Sequence, residues 1–444
     1  LATPWAHGGD PWDSQAGFHY SPSEQVLDFY GMAHTALSGA GSGEMGELRL
    51  LPLGEEGQAS VLAAGSVRGA PGYFSGSAGP ALGACQVRME ATATPRAAVH
   101  RFGFPETANC SGWPRRLVQL SLQEPPGSFW GYKLEEHRLR AVGPRRLEGC
   151  SASRITGIGN ADSLLCFALE FDRPFRLPAG ARADSLDSEV LLEFPRDSSS
   201  IVARVAVSRF DVEHARGTLD RELGERSFEQ VRAAAQGLWQ AALGAAKVEI
   251  EPSSRLRDFY TALYHSMLFP SLLSEEDGLY RLQRNGSAAA AMRGEEPFSL
   301  ETLGHTMPAL RAEPGGKAYS TFSLWDTYRS LHPLMSLIQP EVSKGFRQSL
   351  LKMAEVWGYL PPWQLVHSPS DMMEGDGGSV ALATMARDGL LDANATFAAL
   401  RRARDTMYDA GYSDGSFHGR VSRALEEARA DQCTARLAKR LGGG

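Results

Sequence analysis

The sequence predicts a chain of several domains, with an antiparallel β-sandwich first and an array of α-helices after it. Its 444 residues are too many for one ordinary domain. Between residues 45 and 210 the apolar residues alternate over short stretches bounded by Gly and Pro, whereas after residue 227 they recur with helical spacing. We therefore place a β-sandwich domain at residues 1–212, a helical linker at 213–247 and a helical domain at 248–444.

The strands of the first domain are predicted by this alternation. The segment RLVQLSL directs Val118, Leu120 and Leu122 to one face, and SIVARVAV at residues 200–207 alternates in the same way. The segment LLCFALEF at residues 164–171 is apolar almost throughout and is typical of a strand buried on both faces. Many such strands separated by turn residues favour a large β-sandwich.

The linker begins with a sequence typical of a helix start. Ser227 and Gln230 form an S-x-x-Q capping box, in which each side chain can bond the other residue's backbone N–H. The apolar residues behind it recur at helical intervals, and they are Val231, Ala235, Leu238 and Ala242.

Helical apolar faces repeat through the rest of the chain. One face consists of Phe346, Leu350, Met353 and Trp357, and another of Phe397, Leu400, Ala403 and Met407. Helices that repeat with loops between them predict an antiparallel α/α array, either a solenoid or a closed toroid. The last helix runs directly into three glycines, so we expect the array to be incomplete at residue 444.

Charge and hydropathy exclude two classes of partner. The net charge is −7, and the 45 Lys and Arg residues are scattered along the chain. This pattern argues against nucleic acid or an anionic membrane surface as a partner. No run of about 18 apolar residues occurs, so we expect no membrane insertion.

Cysteine and asparagine bear on the cellular compartment. The five cysteines show no metal-ligand spacing, so we predict dispersed buried thiols and allow for one disulfide. Of the four asparagines, Asn109, Asn285 and Asn394 lie in N-x-[ST] sequons. This predicts the secretory pathway or the extracellular space, with the cytosol as the alternative. Because the chain starts with Leu and shows no signal peptide, we expect the true N-terminus to lie before it.

The segment SLWDTYRSLHPLMSLIQP, residues 323–340, places polar and aromatic groups at the start of an apolar helix that Ser320 or Ser323 can cap. Trp325 offers a flat apolar face, Asp326 two acceptor oxygens and Arg329 a planar donor fork, which together suit a hexose. The structural alternative is that Asp326 caps the helix and pairs with Arg329 while Trp325 packs in the core.

Two further segments carry candidate groups. The loop 358–378 contains Asp371, Glu374 and Asp376, whose carboxylates could serve acid–base chemistry or could be solvated loop charges. His34 lies before a glycine-rich turn, and a lone histidine is usually structural. The H-E-x-x-H, G-x-S-x-G and Walker patterns do not occur, which disfavours zinc-protease, serine-hydrolase and nucleotide-binding functions.

Taken in order along the chain, these segments resemble glycoside hydrolase family 92, the calcium-dependent exo-α-mannosidases. The resemblance rests on GFHYSPSEQVLDFYGMAHTALSGAGSGEMGELRLLP, MEATATPRAAVHRFGFP, LRDFYTALYHSMLFPSLLSEEDGLY, YSTFSLWDTYRSLHPLMSLIQPE, GYLPPW and the last helix. The S-L-W-D-T-Y-R block is its most specific part. The resemblance implies a β-sandwich, a helical linker and an incomplete (α/α)6 toroid.

The resemblance also implies roles for single residues. It implies that Asp326 holds mannose hydroxyls and that Trp325 and Arg329 shape the same subsite. It further implies substrate-binding roles for His34 and for Asp376, which fits the family's Met-x-Gly-Asp pattern. Departures from the family occur at Ala36, Glu44, Glu47, Pro369 and Ser370.

The implied activity is the removal of terminal α-linked mannose from N-glycans or mannan by inversion, with α-1,2 linkages as the expected type. Inversion requires a carboxylic acid and a carboxylate base about 6.5–9.5 Å apart. The resemblance places these groups and the calcium ligands after residue 444, so we expect this chain to lack them and to be inactive alone. The alternative is a mannose-binding remnant that performs no hydrolysis. A disaccharide phosphorylase would require a basic phosphate pocket, for which the sequence offers no candidate.

Overall fold

The computed structural model describes residues 2–7, 18, 24–35, 45–56, 60–81, 85–106, 110, 115–123, 132–155, 161–284, 299–370, 373, 375–387, 391–409 and 421–442. The chain forms two compact units. The first comprises Leu1–Gly157, Ser163–Gln240 and Phe298–Leu300, and the second comprises Ile158–Asp162, Ala241–Pro297 and Glu301–Gly444.

The first unit contains one large antiparallel sheet. Its strands are β1 (Ala2–His7), β2 (Val26–His34), β3 (Leu48–Leu53), β4 (Val61–Ala63), β5 (Arg68–Ala70), β6 (Tyr73–Gly79), β7 (Val87–Ala93), β8 (Ala97–Gly103), β9 (Arg116–Ser121), β10 (Tyr132–Ala141), β11 (Arg146–Ile155), β12 (Ala161–Phe171), β13 (Glu189–Phe194) and β14 (Ser200–Ser208). Their order is β10-β11-β12-β14-β8-β7-β6-β4-β2-β3-β9-β13, with β1 paired to β2 and β5 to β6.

The sheet folds over on itself to form the predicted sandwich. Leu147 and Phe167 come from strands near one end of the order, and Leu120 and Leu192 come from strands at the other end. All four side chains are nevertheless buried in one apolar cluster. A single sheet can enclose such a cluster only if its two halves face each other, which gives the two layers of a sandwich.

The linker helices pack on this sheet. The structure has a helix at Val212–Thr218, a π-helix at Leu219–Leu223 and a helix at Phe228–Leu243. The capping box is confirmed, because the Gln230 Oε1 accepts from the Ser227 N–H (2.8 Å) and the Ser227 hydroxyl from the Gln230 N–H (3.2 Å). Val231 joins a buried cluster with Val99, whereas Leu238 is 61% exposed, so its predicted place on the apolar face is wrong.

The second unit is mainly helical. Its helices are Ser253–Ser266, Leu303–Thr306, Leu324–Thr327, Leu331–Ile338, Pro340–Trp357, Gly377–Arg387, Ala393–Asp409 and Val421–Arg440. Short strands lie at Ser271–Leu272, Leu279–Arg281, Ala309–Arg311, Tyr319–Ser320, Phe322–Ser323, Trp363–Leu365 and Ser368–Ser370. The apolar face predicted for residues 346–357 is confirmed, because all four of its side chains are buried. Closure into a toroid stays a prediction.

The helix predicted across residues 323–340 is interrupted. The structure has Leu324–Thr327 and Leu331–Ile338 as separate helices, with Tyr328–Ser330 between them. Pro333 explains the break, because its ring would clash with the Arg329 carbonyl in a continuous helix. In the first turn of a new helix the same proline is tolerated.

Two disulfides join cysteines of the first unit, where the sequence allowed for one. Cys85 bonds to Cys110, and Cys150 on β11 bonds to Cys166 on β12. Cys433 is a free thiol. Within the described ranges, every helix is too short or too polar to cross a lipid bilayer.

Candidate functional site

The segment around Asp326 is held by a small three-stranded sheet. Phe322 and Ser323 pair with Gln364 and Trp363, and the Leu324 N–H donates to the Pro362 carbonyl (3.0 Å). The chain then turns into the short helix that carries the candidate side chains. Their backbone is therefore fixed by main-chain hydrogen bonds on the strand side.

The Gln364 side chain forms hydrogen bonds to two residues with strained backbone angles beside this segment. Thr321 and Val366 have positive φ angles of 64° and 46°, which are unfavourable for β-branched residues. The buried Gln364 amide accepts from the Thr321 N–H (2.6 Å) and donates to the Val366 carbonyl (2.6 Å). The Ser320 hydroxyl donates to the same carbonyl (2.7 Å). Such strain persists only where the surroundings over-determine it, and it is often found at functional sites.

Asp326 presents its carboxylate at the surface. The side chain is exposed, and the Ser323 hydroxyl donates to its Oδ2. Ser323 precedes the helix and uses its hydroxyl for this bond rather than for a helix cap. An ionised carboxylate has room for about four hydrogen bonds, so Asp326 retains acceptor positions for a ligand.

Arg329 is fixed by a carboxylate that the sequence analysis missed. Its guanidinium pairs with Glu426, 97 residues further along, and donates to the Trp325 carbonyl. It lies 4.3 Å from the ring centroid of Tyr328 and 5.3 Å from that of Trp325. The Tyr328 hydroxyl donates to Glu426 (2.7 Å), and burial raises the pKa of that phenol. Arg329 therefore pairs with Glu426 and not with Asp326, as the structural alternative would have required.

Closely packed glycines bring a second segment against this cluster. A Cβ atom on Gly375 would overlap the Glu426 Cβ, and one on Gly377 would lie 2.7 Å from the Leu324 carbonyl oxygen. Gly375 also has a φ of 79°, which favours glycine. Residues 375–378, at which a loop leads into the helix Gly377–Arg387, therefore lie directly beside Leu324, Tyr328 and Glu426.

Asp376 lies in that second segment but is buried. It caps the helix Gly377–Arg387, accepting from the Ser379 N–H (2.9 Å) and from the Ser379 hydroxyl. Burial raises the pKa of its carboxyl, although the bonds from Ser379 oppose this rise. Its predicted contact with sugar stays a prediction. Asp371 and Glu374 lie outside the described residues.

His34 belongs to the first unit and is buried at the end of β2. Its Nδ1 lies 3.0 Å from the Leu48 carbonyl, which can only accept, so Nδ1 carries the proton. Its Nε2 then accepts from the Nε2–H of His100 at 2.8 Å. Burial lowers the pKa of His34 to about 4, so both rings are neutral at pH 7. Its substrate-binding role is untested by these contacts and stays a prediction.

Glu47 is the centre of a buried polar network in the same unit. Its carboxylate pairs with Arg209 (2.7 Å) and accepts from the hydroxyls of Ser163 (2.6 Å) and Thr35 (3.1 Å). Thr35 follows His34 and has a φ of 64°. The network therefore holds a strained residue at the end of β2. Ala36 and Glu44 lie outside the described residues.

His332 packs behind the Asp326 segment and should make stability depend on pH. Its Nε2 lies 3.2 Å from the Thr327 hydroxyl, and burial together with the nearby charge of Arg347 lowers its pKa to about 4. The unfolded ring has a pKa of about 6.5. Between these two pH values the unfolded chain binds a proton at His332 that the folded chain excludes. The contribution of His332 to stability is therefore complete above about pH 6.5 and is lost as the pH falls towards 4.

We therefore expect His332→Gln, which keeps a donor for Thr327, to reduce the pH dependence of unfolding. The slope of unfolding free energy against pH should fall by up to about 1.4 kcal/mol per pH unit near pH 5, because one fewer proton is taken up. Urea denaturation of the second unit at several pH values measures this slope. Equal slopes for the two proteins would contradict the neutral, buried state of His332.

The described residues show no cluster of the side chains that most often bind metal ions. Within the ranges given above, no group of three or more His, Cys, Asp or Glu side chains lies close enough to hold a metal ion. Calcium prefers six to eight oxygen ligands, carboxylates prominent among them. The calcium implied by the resemblance stays a prediction.

Family models match both parts of the chain. The model for the glycosyl hydrolase family 92 N-terminal domain matches residues 2–208, and that for the family 92 catalytic domain matches residues 214–444. No curated protein matches the chain.

Solved structures share the fold. A family GH92 alpha-mannosidase from Bacteroides thetaiotaomicron superposes with a TM-score of 0.79 at 21% identity, covering 99% of this chain and 59% of its own. A family GH92 inverting mannosidase from Bacteroides thetaiotaomicron VPI-5482 gives a TM-score of 0.71 at 21% identity, covering 100% and 59%. This chain thus spans about three fifths of the length of either structure. These likenesses show the fold, and the two domain models, which cover nearly all its residues, show that the chain belongs to glycosyl hydrolase family 92.

Proposed function

We propose that this protein is a glycosidase that binds terminal α-linked mannose and removes it from N-glycans or mannan with inversion at the anomeric carbon. The observation that carries the proposal is the cluster of Trp325, Asp326 and Arg329. It lies at the surface in a chain whose family and fold match those of solved mannosidases. The first of these mannosidases was also solved in complex with mannoimidazole.

The cluster has the chemistry that a hexose needs. Asp326 offers free acceptor positions, and two neighbouring hydroxyl groups can donate to one carboxylate. Trp325 is partly exposed and supplies an apolar surface for the C–H face of a sugar ring. Arg329 is 45% exposed and is held in place by Glu426 and by two aromatic rings, so its remaining N–H groups are oriented before a ligand arrives.

The proposal gives these residues a binding role. Inversion further needs an acid and a base about 6.5–9.5 Å apart with water between them, and we assign neither role to a described residue. Calcium is proposed as a cofactor on the family resemblance alone. The α-1,2 preference has the same basis, and a panel of α-1,2, α-1,3 and α-1,6 mannobiosides tests it.

Asp326→Ala is expected to weaken mannose binding. The loss of a charge-assisted hydrogen-bonding partner should cost about 1.5–3 kcal/mol, which is roughly a 10- to 150-fold rise in Kd. Calorimetric titration with methyl α-mannoside measures the change without requiring hydrolysis. Asp405→Ala removes the same charge from an exposed position on the helix Ala393–Asp409 and serves as the matched control. Unchanged affinity in Asp326→Ala would refute the assignment.

We further propose that the protein passes through the secretory pathway. Two disulfides support this compartment, because such bonds persist in oxidising surroundings and are rare in the cytosol. The three sequons support it independently.

A further inference from the structure

The sequon at Asn394 occupies the first turn of a helix. Asn394, Ala395 and Thr396 lie within Ala393–Asp409, which begins just after Asp392. The Asn394 side chain is exposed, whereas Thr396 is completely buried. The acceptor amide and the hydroxyl that defines the sequon therefore point to different surroundings in the folded protein.

This helix start is stabilised without the Asn394 amide. The Asp392 carboxylate accepts from the Ala395 N–H (2.6 Å), which is a helix cap. The Asp392 carbonyl accepts from the Thr396 N–H (3.0 Å) and from the Thr396 hydroxyl (2.7 Å). A bulky group on the Asn394 nitrogen would thus leave every one of these bonds intact.

We propose that Asn394 carries an N-linked oligosaccharide, attached before this helix folds. The Asn394 side-chain nitrogen forms a bond to the anomeric carbon of an oligosaccharide on a lipid diphosphate. The anomeric C–O bond breaks, the lipid diphosphate leaves with its electron pair, and the amide loses one proton to a base of the transferase. No oxidant or reductant is needed.

The order of events follows from the position of Thr396. A transferase recognises the sequon through its hydroxyl and through an extended backbone. In the folded chain that hydroxyl is buried and already donates to the Asp392 carbonyl, and the backbone is helical. Both requirements are met only while residues 392–396 are unfolded, so attachment belongs to the period of synthesis.

The oxidising compartment has separate support within the chain. The Cys85–Cys110 and Cys150–Cys166 disulfides fit the compartment in which such transferases act. Asn109 and Asn285 also lie in sequons but are outside the described residues. The inference is therefore confined to Asn394.

The test uses the full chain secreted by eukaryotic cells behind a cleavable signal. Peptide-N-glycosidase in ¹⁸O-labelled water should convert Asn394 into labelled Asp, which peptide mass spectrometry detects. Asn394→Gln should abolish the label there, and Thr396→Ser, which keeps the hydroxyl, should retain it. Both variants should bind methyl α-mannoside as the parent does, which separates this inference from the sugar-binding proposal. Secreted parent protein without modification at Asn394 would overturn the inference.

A second arm tests the timing. Unmodified folded protein made in bacteria and a synthetic peptide spanning residues 390–398 are incubated with the transferase and its lipid-linked donor. The peptide should be modified and the folded protein should not. Equal modification of both would show that the buried Thr396 hydroxyl does not protect the folded site, and the timing would be wrong.

Discussion

Arg209→Met is expected to lower the free energy of unfolding of the sheet-bearing unit by about 3–5 kcal/mol, because it leaves a buried carboxylate without its counter-charge. Glu47 is only 1% exposed, so water cannot replace the lost partner. The same change removes the bonds from Arg209 to the Ser163 hydroxyl (2.8 Å) and to the Leu164 carbonyl (2.9 Å). Methionine has a similar length and keeps the apolar part of the packing.

Two comparisons isolate the charge. The double variant Glu47→Gln/Arg209→Met removes both charges and should be more stable than Arg209→Met alone, since no buried ion is left unpaired. Arg182→Met breaks the exposed pair with Asp184, whose side chains are 77% and 72% exposed, and should leave stability nearly unchanged because water already screens these charges.

Hydrogen exchange of the β2 and β3 amides is the suitable measurement, because a chain of two units need not unfold in one step. A loss in Arg209→Met no larger than that in Arg182→Met would contradict the buried network. It would also mean that the Glu47 network does not hold Thr35, beside His34, at its strained backbone angle.

Gly377→Ala is expected to destabilise the second unit and to displace the Asp326 segment. The added Cβ would lie 2.7 Å from the Leu324 carbonyl oxygen and 2.9 Å from the Tyr328 ring. The backbone cannot move aside as a flexible side chain can. We therefore expect overpacking to lower the free energy of unfolding by about 1–3 kcal/mol. Because Leu324 starts the helix that carries Asp326, affinity for methyl α-mannoside should fall as well.

Gly304→Ala is the matched control for this change. It lies in a helix of the same unit, and a Cβ there would meet nothing within 4 Å. Urea denaturation should show little change for Gly304→Ala and a clear loss for Gly377→Ala. Equal stability and equal mannose affinity in the two variants would show that residues 375–378 do not pack against the Asp326 segment as described.

Local patterns allowed much of the fold to be predicted. The Ser227–Gln230 capping box and the buried face around Leu350 depend on residues within one helix, and both are confirmed. Alternation likewise predicted the strands, because side chains on one face of a strand recur every second residue. The break before Leu331 could have been predicted, since Pro333 is visible in the sequence.

The site depends on contacts that no local pattern encodes. Glu426 lies 97 residues from Arg329, and nothing in its own helix distinguishes it from other surface carboxylates. The hydrogen bonds from Gln364 likewise depend on the positive φ angles of Thr321 and Val366. β-Branched residues rarely adopt such angles, so the sequence could not predict them. The pairing of the cysteines also requires the sheet topology, since cysteine spacing alone does not determine connectivity.

Hydrogen exchange with saturating methyl α-mannoside tests the sugar-binding cluster most directly. Binding should slow exchange in peptides covering residues 323–329, because the ligand orders the backbone around Trp325 and Asp326. The Asp326→Ala variant should lose this protection under the same conditions. Protection confined to other parts of the chain, with residues 323–329 unchanged at saturation, would contradict the account.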